Sequence, residues 1–385
     1  MEVYLDNCST TKPRDEVVEE MIHILKEEYG NPSSLHRMGF NIEKKIEYTR
    51  EIVANFLRVH KDEIYFTSGG TESNNLALQS IINKYHRKGK HIITTGIEHP
   101  SILNVLRHYE QKGYEITYLK VDNNGLISLD ELRNSIREDT ILLCIMLVNN
   151  EIGTIQPIGE IKRIIREKES EALLHVDGIQ AFGKIPIDIN GWDIDTFSFS
   201  GHKIYGPKGI GGLYIDKKLK LNPIIFGGNQ ERGFRSGTEN VPGIIGLGKA
   251  VEIMGENYEE ERTKVKNIKS YFINRLNKEI SSIRINSPMD EWGSPYILNI
   301  SFKYIRGEVL LHYLEDKGIY VSTGSACSSK GTEKSHVLSE IGLSPLDIDG
   351  AIRFCFSHEN SIEDIDYAID VLKRSVEEIR QITMR

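Results

Sequence analysis

The sequence is short of cysteine, of tryptophan and of long apolar runs, and each shortage argues against a class of protein. Four cysteines, Cys8, Cys144, Cys327 and Cys355, are scattered through 385 residues without a Cys-x-x-Cys pair. That argues against a disulfide framework and against a zinc site built from cysteines. It suits a reducing compartment in which a single thiol stays reactive. The longest apolar run, Ile141 to Val148, covers eight residues, against the roughly 20 needed to cross a bilayer. It reads as a buried strand, and no membrane association is expected. The opening residues, Met1-Glu2-Val3-Tyr4-Leu5-Asp6, lack the basic and apolar regions of a signal peptide, so a cytoplasmic protein is expected. Positive charge is also lacking: the net charge of -8 offers no general attraction to nucleic acid or anionic lipid. A small-molecule substrate or a protein partner is the better expectation.

What is present is an alternation of short apolar runs and helical patterns. Strand-like runs fall at 63–67, 91–95, 116–121, 141–148, 173–176, 196–199 and 212–215, and helical patterns at 15–28, 72–87, 101–111, 129–137 and 158–168. Buried strands alternating with helices predict an α/β fold, a mostly parallel sheet flanked by helices on both faces. A charged helical stretch over 242–279 follows. Beyond it, strands at 297–302 and 351–356 and helices at 308–317 and 362–380 predict a smaller C-terminal α/β domain. Ser361 and Asp364 have the spacing of a capping box for the last helix.

Ligands of open α/β sheets bind beyond the carboxyl ends of the strands, and four segments offer chemistry at such places. Thr67-Ser68-Gly69-Gly70-Thr71-Glu72-Ser73 joins a strand to a helix. It is neither a Walker motif nor Gly-x-Gly-x-x-Gly. Taken singly it is an ordinary capped turn, but its glycines and helix N-terminus also suit an anion. Asp177 closes the apolar run 173–176; it either caps the next helix or holds a proton on a pyridine nitrogen. Lys203 follows Ser200-Gly201-His202 at another strand end, where an amine can form a Schiff base, although most lysines are solvated surface charges. Together, a phosphate-type loop, an acid and an amine are the three groups that pyridoxal phosphate (PLP) requires. The fourth segment, 321–331, is rich in serine and glycine around Cys327 and predicts a mobile loop.

The other thiols read differently. Cys144 sits inside Leu142-Leu143-Cys144-Ile145 and Cys355 between Phe354 and Phe356, both as core residues, while Cys8 is a secondary candidate for a reactive thiol. Arg353 within a strand pattern is either a structural ion pair or a clamp on a substrate carboxylate. His99 opens a helix after a strand, either as a cap or as a ring stacked on a cofactor and serving as acid or base.

The ordered set of motifs resembles the NifS/IscS-like cysteine desulfurases. It comprises Tyr4-Leu5-Asp6-Asn7, Gly30-Asn31-Pro32-Ser33-Ser34, 67–75, Glu98-His99, Val148-Asn149-Asn150-Glu151-Ile152-Gly153, 200–207, Arg235-Ser236-Gly237-Thr238 and Gly324-Ser325-Ala326-Cys327, and spans nearly the whole chain. The resemblance implies a fold-type I PLP enzyme of the class V aminotransferase kind, working as a homodimer. It implies a large PLP-binding domain over 16–259, with 1–15 and 260–385 forming the small domain that carries the cysteine loop. It assigns Lys203 to the Schiff base, Asp177 to the pyridine nitrogen, Gln180 to the ring hydroxyl and His99 to stacking. Gly70, Thr71, Ser200 and His202 would hold the phosphate, with Thr238 reaching in from the partner subunit. Asn150, Arg353 and Asn31 would bind substrate. Cys327 would take sulfur from L-cysteine as a persulfide, leaving L-alanine, and pass it to an iron–sulfur scaffold or a thiolation enzyme. No metal site is implied; Cys327 could ligate an iron–sulfur cluster only alongside partner ligands. Where many members have Ala or Thr near Gly178, this chain keeps the small residue Gly. Other readings are a selenocysteine lyase or another class V lyase or aminotransferase, and a non-catalytic regulatory subunit on the same fold.

Overall fold

A computed structural model describes residues 1–324 and 334–383. The N-terminal segment gives β1 (Val3–Tyr4), α1 (Asp15–Glu27) and α2 (Arg37–Leu57). An alternating stretch then supplies β2 (Ile64–Thr67), α3 (Gly70–Tyr85), β3 (His91–Thr95), α4 (Pro100–Glu110), β4 (Glu115–Leu119), α5 (Leu129–Ser135), β5 (Thr140–Met146), α6 (Ile158–Glu167), β6 (Leu173–Asp177), β7 (Thr196–Ser200) and β8 (Gly211–Ile215). After α7 (Val241–Glu279) come β9 (Ile283–Ile285), β10 (Ile297–Phe302), α8 (Gly307–Glu315) and β11 (Ile319–Tyr320). The chain closes with α9 (His336–Glu340), α10 (Pro345–Asp349), β12 (Ala351–Cys355) and α11 (Ile362–Thr383).

Seven strands form the main sheet in the order β2-β8-β7-β6-β5-β3-β4. Only β8 runs against the rest, pairing antiparallel with both β2 and β7. Every residue of β3, β5, β6 and β7 is buried, as expected for strands covered on both faces. A three-stranded antiparallel sheet, β9-β10-β12, sets Asn299 opposite Arg353. The predicted division at 259–260 falls inside α7, which runs through it unbroken. That helix lies against α1 and α2 early on, where Gly246 meets Met21 and Gly248 meets Thr49. Its far end is tied to α11 by Arg275, which bonds Asp366 and Asp370.

The expected strands and helices match these elements to within a few residues, and the Ser361–Asp364 capping box is present in both directions. The 21-residue α2 is an element the sequence patterning does not reveal. Its core face carries Ile42, Ile46, Val53 and Leu57, but a buried arginine interrupts the apolar stripe. Arg50 is 3% exposed and forks onto the Glu231 carboxylate at 2.8 and 2.9 Å. Glu231 also accepts from the Phe66 amide, so this pair ties α2 to the first strand of the main sheet.

Candidate active site

The groups singled out by the sequence come together at the carboxyl ends of β2, β3, β5, β6 and β7. There they line a cavity of about 210 Å³, with Arg353 of β12 and Cys8 closing it from the other side. A larger cleft, about 790 Å³, lies between α6, α7 and residues 288–295, but holds none of these groups. The smaller cavity is therefore the chemical site.

At one end is a cradle for an anion. The chain enters α3 through Gly69, whose φ of 147° is open to glycine and strained for other residues. The Ser73 amide already donates to the Gly69 carbonyl at 3.0 Å, and the amides that open a helix before that first internal bond are the ones that suit an anion. Thr67, Ser73 and the Gly212 carbonyl fix the turn through hydrogen bonds of 2.8 and 3.0 Å. Ser200 Oγ is buried with no hydrogen-bond partner among the described residues, an expensive state unless a ligand supplies one. A second hollow, about 380 Å³, opens over the same turn and shares Gly70, Thr71, Ser200 and His202. Burial, reinforced by the charge of Lys203, pushes the His202 pKa down to about 3, so its ring is neutral and serves as a hydrogen-bonding group.

Asp177 ends β6 deep in the cavity. One carboxylate oxygen accepts from Asn74 Nδ2 at 2.8 Å, the other from the Ile179 amide at 3.0 Å. Asn74 is itself fixed by His175, whose Nε2 lies 3.1 Å from its Oδ1. Burial holds the His175 pKa down to about 3, and the amide contact assigns its proton to Nε2. The result is a neutral relay that orients an acid without adding charge.

Lys203 donates to the carbonyl oxygens of Cys8 and Ser9 at 2.5 and 2.8 Å. Burial, then the nearby Lys184 charge, lowers its pKa to about 8. Desolvation of this kind makes an amine available as a nucleophile near neutral pH. Gln180 donates to the Cys8 carbonyl at 2.9 Å and accepts from Lys184 at 3.1 Å.

His99 caps α4: its Nδ1 accepts from the Ser101 amide at 3.1 Å, so the ring proton sits on Nε2. Burial lowers its pKa, with the charge of Lys203 acting in the same direction and that of Asp177 opposing. Next to it, Glu98 is fully enclosed, and burial raises its carboxyl pKa to about 8 despite hydrogen bonds from the Met146 amide and Thr95.

Arg353, 1% exposed, donates to Asp6 at 2.9 Å, to Ser9 Oγ at 2.8 Å and to the Asn150 carbonyl at 2.8 Å. Its Nε has no partner among the described residues. This arginine is ion-paired, and it also lines the cavity. Asn150 lines the same wall.

Three expected residues stand apart. Asn31 is exposed between α1 and α2 and accepts from the Ser33 amide. Thr238 is exposed beside a separate hollow with Ser68 and Arg235. Cys327 lies outside the described residues. The described ends on either side of its segment meet the site: Ser322 pairs with the Arg353 backbone, and Ser335 donates to Glu151 at 2.6 Å. Among the described residues no group of three or more His, Cys, Asp or Glu is placed to hold a metal. No helix is long and apolar enough to cross a membrane.

Sequence reasoning missed Asn74, His175, Glu98 and the carbonyl groups of Cys8 and Ser9. Asn74 and His175 act through an amide relay between distant segments, and backbone carbonyls leave no trace in residue type. Asn74, inside the 67–75 motif, and Glu98, inside Glu98-His99, carried a usable signal.

These features define a PLP-type site on an α/β sheet, and comparison with known proteins agrees. The chain belongs to the class-V aminotransferase family, which matches residues 3–368. It is 46% identical over 383 residues to the cysteine desulfurase IscS of Dictyoglomus turgidum, covering 99% of this chain and 96% of the relative. A solved NifS-like protein superposes with a TM-score of 0.93 at 40% identity, over 98% of this chain and all of its own length. A structure described as SspA in complex with cysteine matches with a TM-score of 0.82 at 34% identity, over 93% of this chain and all of that one.

Proposed function

We propose that the chain is a cysteine desulfurase that draws sulfur from L-cysteine onto Cys327 and releases L-alanine. The observation that carries the residue assignments is Lys203, a desolvated amine held on two carbonyl oxygens between Asp177 and the anion cradle at α3. The residues present fit PLP. Ser200 Oγ and the α3 amides suit its phosphate, Asp177 its ring nitrogen, Gln180 its ring hydroxyl and His99 its face. When bound, PLP supplies an electron sink for electrons leaving the substrate Cα.

The chain's own residues do the rest. Lys203 would hold the cofactor through its amine, and the same amine is placed to take the Cα proton. Asp177, fixed by Asn74, holds a proton at the pyridine nitrogen. Arg353 and Asn150 bind the substrate carboxylate, with Arg353 preset by Asp6 and Ser9. His99, neutral with its proton on Nε2, stacks on the ring and moves protons at the substrate sulfur. The Cys327 thiolate then forms an S–S bond as the substrate Cβ–S bond breaks, and Cβ gains a proton to give alanine.

Residues 16–259 form the PLP-binding domain, and 1–15 with 260–385 the small domain. The enzyme is a homodimer in which Thr238 serves the partner's site, consistent with its exposure in a single chain. It is cytoplasmic, acts on no nucleic acid directly, and delivers sulfur to an iron–sulfur scaffold or a tRNA-thiolation enzyme. The test is mass spectrometry after exposure to L-cysteine: Cys327 should gain one sulfur atom, and Cys327→Ser should lose turnover while keeping the PLP absorbance. Undiminished turnover in that variant would overturn the reading in favour of a lyase that needs no thiol.

A further inference from the structure

The turn that follows β6 holds a lysine to which the desulfurase reaction gives no task. Lys184 is 4% exposed. Its ammonium donates to Gln180 Oε1 at 3.1 Å and sits 5.7 Å from the centre of the buried Tyr296 ring. The backbone fixes its direction. The Lys184 amide donates to the Ala181 carbonyl at 2.9 Å, and Gly183 just before it has a φ of 72°, in the left-handed region. A Cβ on Gly183 would lie 1.9 Å from Met254 Sδ, so the turn is pressed against α7 at this point.

Lys184 decides which way the Gln180 amide faces. An ammonium donates and cannot accept, so it meets the amide through its oxygen. That assigns the other end of the amide as Nε2, which donates to the Cys8 carbonyl at 2.9 Å. An exchanged amide would set its amino group against the ammonium and its oxygen against the carbonyl, and both contacts would be repulsive. Gln180 also lines the cavity, and its second N–H remains for a group bound there. The Gln180 oxygen and the Tyr296 ring are neutral, so neither cancels the Lys184 charge. A buried cation is costly unless an anion lies near, and an ionised ring hydroxyl beside the Gln180 amide is such an anion.

We infer that Lys184 is a positioning residue for the cofactor: it holds the Gln180 amide with an N–H turned to the ring hydroxyl and so favours the ionised form of that hydroxyl. The inference rests on the proposed PLP site, in which Gln180 meets that oxygen. In that site the cofactor is joined to Lys203 as a Schiff base, and the proton between its nitrogen and the ring oxygen is lost as pH rises. A group that stabilises the bare oxygen lets this proton leave at lower pH. Loss of Lys184 therefore moves the colour change to higher pH. Lys184 stands behind the cavity wall rather than in it, so its effect passes through Gln180.

The test is a pH titration of the absorbance of full-length, PLP-loaded protein, with cofactor affinity as a second reading. Lys184→Met should raise the midpoint by about 0.5–1 pH unit, the scale of one weakened hydrogen bond. Gln180→Ala should raise it too, and in that background Lys184→Met should add less than half of its single effect. A midpoint that Lys184→Met leaves in place, or an effect that keeps half or more of its size without Gln180, would overturn the inference. Affinity separates positioning from a merely structural role. Lys184→Met should bind PLP about 2–10-fold more weakly than the wild type, yet bind 3-deoxypyridoxal phosphate, which lacks the ring hydroxyl, equally well. Equal weakening toward both compounds would also overturn it. Should Lys184→Met fail to fold by circular dichroism, Lys184→Arg decides: it keeps the charge and a donor and should keep the wild-type midpoint, and a shift of about 0.5 pH unit or more would contradict the inference. Wild-type protein without any such titration would remove the PLP reading and this inference together, whereas a wild-type titration that Lys184→Met does not move removes the inference alone.

Discussion

At the scale of residues, the site works by controlling which buried groups carry charge. Glu98 shows this most simply. Its raised folded pKa means that the folded protein holds a proton the unfolded chain gives up, so its stabilising contribution is complete below pH 4.5 and is lost as pH rises through about 8. Glu98→Gln should therefore flatten the decline in stability across that window, measured by urea unfolding at several pH values. An unchanged slope would mean that Glu98 is ionised in the fold. Lys203 has the opposite sign, because its folded pKa of about 8 lies below its ordinary value. In the PLP-free protein its stabilising contribution is complete above the ordinary lysine range and is lost as pH falls through about 8. In the proposed function Asp177 carries the catalytic charge. Asp177→Asn should lower kcat on the order of 10²–10⁴-fold, the usual scale for removing a positioned proton-handling group, and should leave the fold intact by circular dichroism.

At the scale of elements, local geometry decides what the glycines and the buried ion pair do. A Cβ on Gly178 would lie 1.8 Å from the Phe197 ring, in a fully buried place where neither can retreat. This explains why the residue that follows Asp177 has no side chain in this chain. Gly178→Ala should cost about 1–3 kcal/mol by overpacking and should weaken PLP binding, read by denaturation and by the cofactor absorbance. Arg50→Ala should destabilise the protein by about 3–5 kcal/mol, because it strands the buried Glu231 carboxylate; a loss under about 1 kcal/mol would show that water reaches the pair. The same pair explains why α2 was illegible. Strands β5 and β6 announce themselves as largely apolar runs because both faces are covered, whereas α2 hides a guanidinium in its apolar stripe and its partner lies 181 residues away.

At the scale of the whole molecule, the site is a meeting of distant segments, and that sets what could be read in advance. Asp177 stood out because it closes an apolar strand, Lys203 because it follows a strand end beside Ser200 and His202, and the α3 turn because glycines and hydroxyls cluster there. Each was ambiguous by itself; their order along the chain made the family visible. The relay through Asn74 and His175 and the neutral acid at Glu98 were not legible, since they depend on sheet order and on segments far apart in the chain. The central claim is that Lys203 is the cofactor's covalent anchor. Borohydride reduction of the PLP-loaded protein, followed by peptide mapping, tests it most directly. The pyridoxyl group should be found on Lys203 and absent from buried neighbours such as Lys184, while a label on any other lysine, or none at all, would contradict the assignment.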